Sequence, residues 1–578
     1  MGDSEDSDVS HITFLPDELI SSILLYNDIQ DVVNFSSTCK RFYELLGDNN
    51  SLWKQKYNVA IPGDFQSIVS QAKEEVDWLH EVKEFFLLKK SIVKELVVMS
   101  AQFYWRDTEI SLEDIKPFFK IATSTYMSYY YTIFILQEIV RKTKKFVEDF
   151  TCSKPVNTLT CTYYAKRVLR YLIQTYLCIK WARGVANSEL SPEVVVNYFI
   201  QWIDPDNLHS DEDVDEKIEY LASESRKFLS DQNKVKNKAN KPNSEREILL
   251  AISETIYKVH KISPSSLDTG SSTLDIVKVV DKKHGCVIAL GAIYQAVARK
   301  LGAHCELNAF SNHFFLEWQS DDDKRTYTID LTNGELRLKR QCPFSHRPNG
   351  PGQKYNPSSF INFIFYAYMR SKGTVHDWEF ENAAHLLDFL SSHEAENYEH
   401  NPYKDFYTFL VRFAVAPALR SKINIKNMDA ENRHLVLMLS EINPPQRSCE
   451  EKVVKKRIPE LKYAVGMVCY HIQYYYMCVI CGWEVEDSRK PRVEEPHTGK
   501  QPIYTVLTED QSVRFVPQEK ICQLTQPMRV KSIEDLLGRD FTHFDGYAYV
   551  SNDEKLQEYP DDRCIVEEYI NHRFPVRK

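Results

Sequence analysis

Three residues in the middle of the chain have the types that cysteine-dependent acyl chemistry needs. Cys286 stands at the head of the apolar run 287–301, which reads as a buried helix closed by Lys300 and Gly302. A thiol at a helix N-terminus ionises more easily, because the aligned peptide dipoles favour negative charge there. His313 opens the run HFFLEW, where Phe314, Leu316 and Trp318 share one strand face and His313 lies on the other. In YTIDL, Tyr327, Ile329 and Leu331 share a face and Asp330 lies opposite. If the two strands pair, a carboxylate-oriented imidazole can serve as base for the thiol. This predicts a Cys-dependent hydrolase or acyl-transferase. The plainer reading makes Cys286 a small buried hydrophobe, His313 a satisfied strand histidine, and Asp330 the cap of a turn before Asn333-Gly334.

Cys478 and Cys481 form the one CxxC pair. A structural zinc site needs a second such pair or a spaced pair of histidines, and neither follows. The pair also falls inside an expected strand. It reads as packing cysteines, with no metal and no cofactor expected. The 13 cysteines are odd in number and scattered, as in a reducing compartment. The first residues, MGDSEDSD, have no apolar signal core. The most apolar run, around Tyr129 to Val140, is interrupted by Gln137 and Glu138 and falls short of the ~20 residues of a membrane helix. A cytoplasmic or nuclear chain is expected. Its net charge is −10, where a phosphate-binding protein is usually basic, so nucleic acid is not an expected partner.

The elements that must hold these residues fall into an α+β multidomain plan. Residues 1–10 read as a disordered acidic tail, 11–60 as a small helical unit, and 61–229 as a helical region. The polar segment 230–244 reads as a linker and 245–372 as a mixed helix–strand unit. A helical region over 373–459 leads into a small antiparallel β-barrel over 460–560 and a C-terminal tail over 561–578. The barrel strands are expected at 465–472, 477–483, 503–507 and 512–516, with turns at Gly482 and near Glu509-Asp510.

The first unit reads as three short helices. Pro16, Asp17 and Glu18 favour a helix start, Asp31 a second, and Asn50-Ser51 a third. About 45 residues rarely bury a sufficient core alone, so the unit should dock on something. Its ordered marks are Leu15-Pro16, Ile23-Leu24, Asp31-Val32, Cys39-Lys40-Arg41-Phe42 and Leu52-Trp53-Lys54. This run closely resembles the F-box. The resemblance implies binding to the Skp1 adaptor, and through it to a cullin and a RING protein. It makes Leu15, Pro16, Ile23, Leu24, Val32, Cys39, Phe42 and Trp53 the candidate adaptor contacts, some of which must instead form the unit's own core.

The runs AIYQAVARKLG, NHFFLEW and TIDLTNGEL resemble the transglutaminase-like fold, in particular its SirB1-like branch. His313 and Asp330 match that family's His and Asp. The nucleophile position falls at Val287, one residue after Cys286, and this branch often lacks the cysteine. The resemblance therefore implies a groove used for binding. Gly466, His471, Gly482-Trp483, Gln501-Pro502, Tyr504 and Val506-Leu507 resemble the YccV/HspQ-like family, whose relatives are linked to DNA and to delivery of proteins for proteolysis. Between Lys462 and Arg529 eight basic and eight acidic residues cancel, which favours a protein ligand over DNA. The resemblances make His313, Trp318, His471, Trp483 and Tyr504 candidate substrate contacts. Together they imply the substrate-recognition subunit of an SCF-type (Skp1-cullin-F-box) ubiquitin ligase, itself non-catalytic. Such a chain raises the effective concentration of a substrate lysine near the charged E2.

Overall fold

The computed structural model describes residues 12–338, 355–372, 452–486 and 501–573, save for 62, 107–109, 111–113, 126, 142–157, 188, 206–208, 236–242, 266–268, 311–312, 322, 525 and 527, together with 379, 382, 383 and 386. They fall into two compact units, one up to Leu136 and the other from Gln137 onward.

The first unit opens with a 3₁₀ turn, Ile12–Phe14, and four helices: α1 (Asp17–Leu24), α2 (Ile29–Ser36), α3 (Lys40–Gly47) and α4 (Asn50–Ala60). Where three helices were expected there are four, because the second is split into α2 and α3. The hydroxyls explain the break. Ser36 and Ser37 both bond the Val33 carbonyl, at 2.6 and 3.0 Å, and Thr38 bonds that of Phe35 at 2.7 Å. Each takes up an acceptor of the helix end. Cys39 then restarts the chain in an extended conformation. The caps also lie upstream of the expected ones: Asp28 receives the Asp31 N–H at 2.7 Å, and Asn49 that of Leu52 at 3.0 Å.

Four more helices follow: α5 (Gly63–Ala72), α6 (Trp78–Phe103), α7 (Lys116–Ala122) and α8 (Ser128–Arg141). The small unit docks on α6 and α8 through α4. Tyr57 of α4 packs at a tilt against Trp78, and its hydroxyl lies 2.9 Å from that of Tyr131, which donates to Glu81 at 3.1 Å. Burial raises the pKa of both phenols, so they stay neutral hydrogen-bonding groups.

The second unit has three long helices, α9 (Thr158–Asn187), α10 (Pro192–Ile203) and α11 (Asp211–Val235). Next come α12 (Glu245–Ser253), a π-helical turn (Glu254–Val259), strand β1 (Ser263–Ser265), short α13 (Ser271–Leu274) and α14 (Ile276–Lys282). Strand β2 (His284–Cys286) pairs parallel to β1 and leads into α15 (Val287–Leu301). That helix is buried on nearly every side and stops at Gly302, whose φ of 83° is the left-handed form glycine allows. A four-stranded antiparallel meander follows: β3 (Glu306–Phe310), β4 (His313–Gln319), β5 (Thr326–Ile329) and β6 (Leu336–Leu338). Helix α16 (Pro357–Lys372) closes this part.

The C-terminal sheet holds β7 (Val468–His471), β8 (Met477–Glu486), β9 (Gln501–Thr508), β10 (Val513–Pro517) and β11 (Ile521–Gln523) in the order β10-β9-β8-β7-β11. All four pairings are antiparallel. This is the antiparallel unit expected as a small barrel; among the described residues no ladder joins β10 to β11. Gly482 was expected in a turn and instead lies within β8, at a register shift. A Cβ there would fall 2.6 Å from the Tyr559 hydroxyl, so glycine answers to a close approach. The turn near Glu509-Asp510 is present, with Gln511 at φ 66°.

Helix α17 (Glu534–Leu537), the hairpin β12 (Phe541–Phe544) and β13 (Tyr549–Ser551), and α18 (Asp553–Glu558) and α19 (Asp562–Arg573) complete the fold. The last helix corrects the expected tail over 561–578, because Ile565, Val566 and Tyr569 pack on the sheet core. The expected linker is shortened at both ends, since α11 runs to Val235 and Ser244 closes a capping box on α12, and its middle, 236–242, lies outside the described residues. Most of the helical region expected over 373–459 lies outside the described residues, as does the tail over 1–10.

Candidate functional site

Burial divides the eight candidate adaptor residues of the first unit. Leu24, Val32, Phe42 and Trp53 are buried in its own core. Trp53 Nε1 donates to the Leu46 carbonyl at 2.6 Å, tying α4 to the end of α3. Pro16, Ile23 and Cys39 are exposed and Leu15 is half-buried. Arg41 holds the entrance: its guanidinium bonds the Leu15 carbonyl at 3.0 Å and the Asp17 carboxylate at 2.5 Å. The sequence reading passed over other apolar side chains that face solvent. Phe14 is 81% exposed, Tyr26 93%, Tyr43 67% and Val59 86%, and Leu19 and Val33 are exposed too. The signal was available. Leu19 and Ile23 are four apart on α1, about 100° around the helix from the buried Ile20–Leu24 pair.

In the second unit Cys286 is the N-cap of α15 and 2% exposed. The helix end favours a thiolate, whereas burial withholds the water that a thiolate needs. Asp330 is engaged elsewhere. One carboxylate oxygen accepts from the Thr332 N–H at 2.9 Å and its hydroxyl at 2.6 Å, and the other lies 2.9 Å from the Arg337 guanidinium. The Gly334 N–H bonds the Asp330 carbonyl at 2.7 Å, so this residue does hold the turn before β6. The β4–β5 ladder ends at Leu316–Ile329, and His313 stands three residues beyond it, paired with Phe310 of β3. The His313 side chain lies outside the described residues.

The other candidate contacts are interior. Trp318 packs against Tyr327 and donates to Glu245 at 2.7 Å. Trp483 donates to Asp562 at 2.9 Å, and Tyr504 to Gln518 at 2.9 Å. His471 Nδ1 accepts the N–H groups of Gln473 and Tyr474, at 3.2 and 3.1 Å. All four are 5% exposed or less. Burial pushes the Cys478 thiol up to about 12 and raises that of Cys481 as well, the opposite of what a thiolate metal ligand requires. Among the described residues no cluster of metal-ligating side chains occurs, and no helix is long and apolar enough to cross a membrane.

Comparison with known proteins gives the same three parts in the same order. An F-box-like family model matches residues 12–59, a transglutaminase-like superfamily model 212–361, and a model of hemimethylated DNA-binding protein YccV-like domains 461–548. The central match begins in α11, upstream of the segment read as a linker. The chain is 23% identical to F-box only protein 21 of Homo sapiens, covering 99% of this chain and 95% of the relative. It is 24% identical to F-box only protein 21 of Mus musculus, covering 98% and 94%. No solved structure matches. The chain thus carries an F-box-like domain ahead of transglutaminase-like and YccV-like domains, and along nearly its whole length it is similar to F-box only protein 21.

Proposed function

We propose that this chain is the substrate receptor of an SCF-type ubiquitin ligase. The F-box holds the Skp1 adaptor, which carries the cullin and the RING protein. The second unit holds the protein to be ubiquitinated, and the chain itself makes and breaks no bond. It works in the cytoplasm or nucleus. The observation that carries this reading is the exposed apolar set on the F-box-like unit. A helical unit that already buries Leu24, Val32, Phe42 and Trp53 still presents Ile23, Leu19, Tyr26 and Tyr43 to solvent. Apolar surface of that kind marks a protein interface. The test is capture of purified Skp1 by the intact chain and by one lacking residues 12–57. Capture that vanishes with the deletion supports the proposal; an intact, folded chain that captures no Skp1 defeats it.

The alternative, a Cys-dependent hydrolase or acyl-transferase on Cys286, His313 and Asp330, is favoured by the position of Cys286 at the head of α15. Its burial and the Arg337–Asp330 pair favour the binding role.

A further inference from the structure

Strands β1 and β2 run parallel, with Ser263 opposite His284, and each is entered through a lysine in the left-handed region: Lys261 at φ 54° and Lys283 at φ 58°. Residues other than glycine seldom hold that conformation. The Ser263 N–H bonds the Lys283 carbonyl at 2.9 Å, which fixes the two turns side by side. Lys282, at the end of α14, adjoins them. All three lysines are exposed, and none makes a salt bridge among the described residues.

The carboxylates nearby are already matched to other cations. Asp281 pairs with Lys217 at 2.6 Å, Glu254 with Lys258 at 2.5 Å, and Glu224 with Lys227 at 2.5 Å. A local excess of three positive charges therefore stands on a chain whose net charge is −10. Screening over about 10 Å at 0.1 M salt means that a partner close to this spot meets the local charge and not the net one. From the lysine turns, β2 runs two residues on to Cys286 and the head of α15. The charge thus lies on the surface of the transglutaminase-like domain.

We propose that Lys261, Lys282 and Lys283 form a docking surface for an acidic segment of a protein, one with a run of Asp or Glu side chains. Lysine ammoniums on separate flexible stems suit several carboxylates spread along a chain. A single phosphate is better gripped by converging guanidinium forks, and no arginine stands among these turns. As the means of choosing a substrate, the surface rests on the receptor reading above.

The test uses the full-length chain and its Lys261→Gln/Lys282→Gln/Lys283→Gln variant. Glutamine keeps the side chain long and polar while removing the charge. Fluorescence anisotropy follows three labelled peptides: poly-glutamate, poly-glutamine, and a neutral peptide with one phosphoserine. Poly-glutamate binding is expected to weaken about tenfold in the variant, which is about 1.4 kcal/mol. It should also weaken as salt rises, and poly-glutamine should not bind. If the triple variant melts early, Lys282→Gln alone, which disturbs neither left-handed turn, carries the test with about a twofold loss. Equal binding of poly-glutamate to wild type and variant overturns the proposal, and so does tighter binding of the phosphoserine peptide. Skp1 capture by the variant should be unchanged. Failure of capture by the wild type would defeat the receptor reading and leave the peptide result standing.

Discussion

Arg337 holds the Asp330 carboxylate, with 2.9 Å between guanidinium and oxygen, on the residue that would have to orient a catalytic histidine. The same carboxylate is bonded twice by Thr332. A group committed to a turn and an arginine is poorly placed to stabilise an imidazolium. Cys286 is therefore expected to react with iodoacetamide at pH 7 more slowly than the exposed Cys39 and Cys564 of the same native protein. Mass spectrometry of the alkylated sites reads the order directly. Cys286 labelled first would revive the enzyme.

The F-box-like unit separates its core from its surface, so two substitutions should behave in opposite ways. Trp53→Ala removes a side chain 2% exposed and strips the Leu46 carbonyl of its donor. It should cost about 3–5 kcal/mol in denaturant unfolding. Ile23→Glu alters a half-exposed position and should stay within about 0.5 kcal/mol of wild type. Only Ile23→Glu tests the surface itself, since Trp53→Ala reaches it through unfolding.

Gly466 has φ 92°, and a Cβ added there would lie 2.1 Å from the Tyr549 carbonyl oxygen. Backbone cannot swing aside as a side chain can. The glycine also exchanges bonds with Ile480 and Tyr549 across the start of the C-terminal sheet. Gly466→Ala should destabilise by about 2 kcal/mol or more. A thermal melt equal to wild type would show that the approach is not required.

Burial, reinforced by Lys520 and Arg514, lowers the pKa of His471 below its ordinary value. The folded state therefore prefers the neutral ring. The stability this gives is complete above the unfolded histidine pKa of about 6.5 and declines as pH falls from there toward the lowered folded value. Protonation at Nδ1 would also remove the acceptor for Gln473 and Tyr474. Wild type should lose stability between neutral pH and about pH 5 more steeply than His471→Gln. Parallel pH curves for the two proteins would contradict this.

Much of the plan was legible because periodicity and caps agreed with packing. Helix α15 begins at Val287 and ends at Leu301 as its apolar run requires, and the strands at 477, 501 and 513 follow their alternation. The misreadings have physical causes. The break after Ser36 depends on three hydroxyls bonding back to carbonyls, and their pattern looks like a polar helix face in the sequence. Gly482 reads as a turn because the Tyr559 ring that needs the space lies 77 residues away. The last helix looked like a tail because its apolar residues are few and meaningful only against the sheet. At the site, the sequence correctly placed Cys286 before a helix N-terminus and Asp330 before a turn. It had no means of seeing that Arg337 returns on the next strand to hold Asp330.

The central claim is adaptor binding through the exposed face of the F-box-like unit. The most direct measurement is calorimetric titration of purified Skp1 into the intact chain and into a folded Ile23→Glu variant. The account predicts saturable, equimolar binding to the wild type that is lost or weakened at least about tenfold in the variant. No heat with the folded wild type, or equal binding by both proteins, would contradict it.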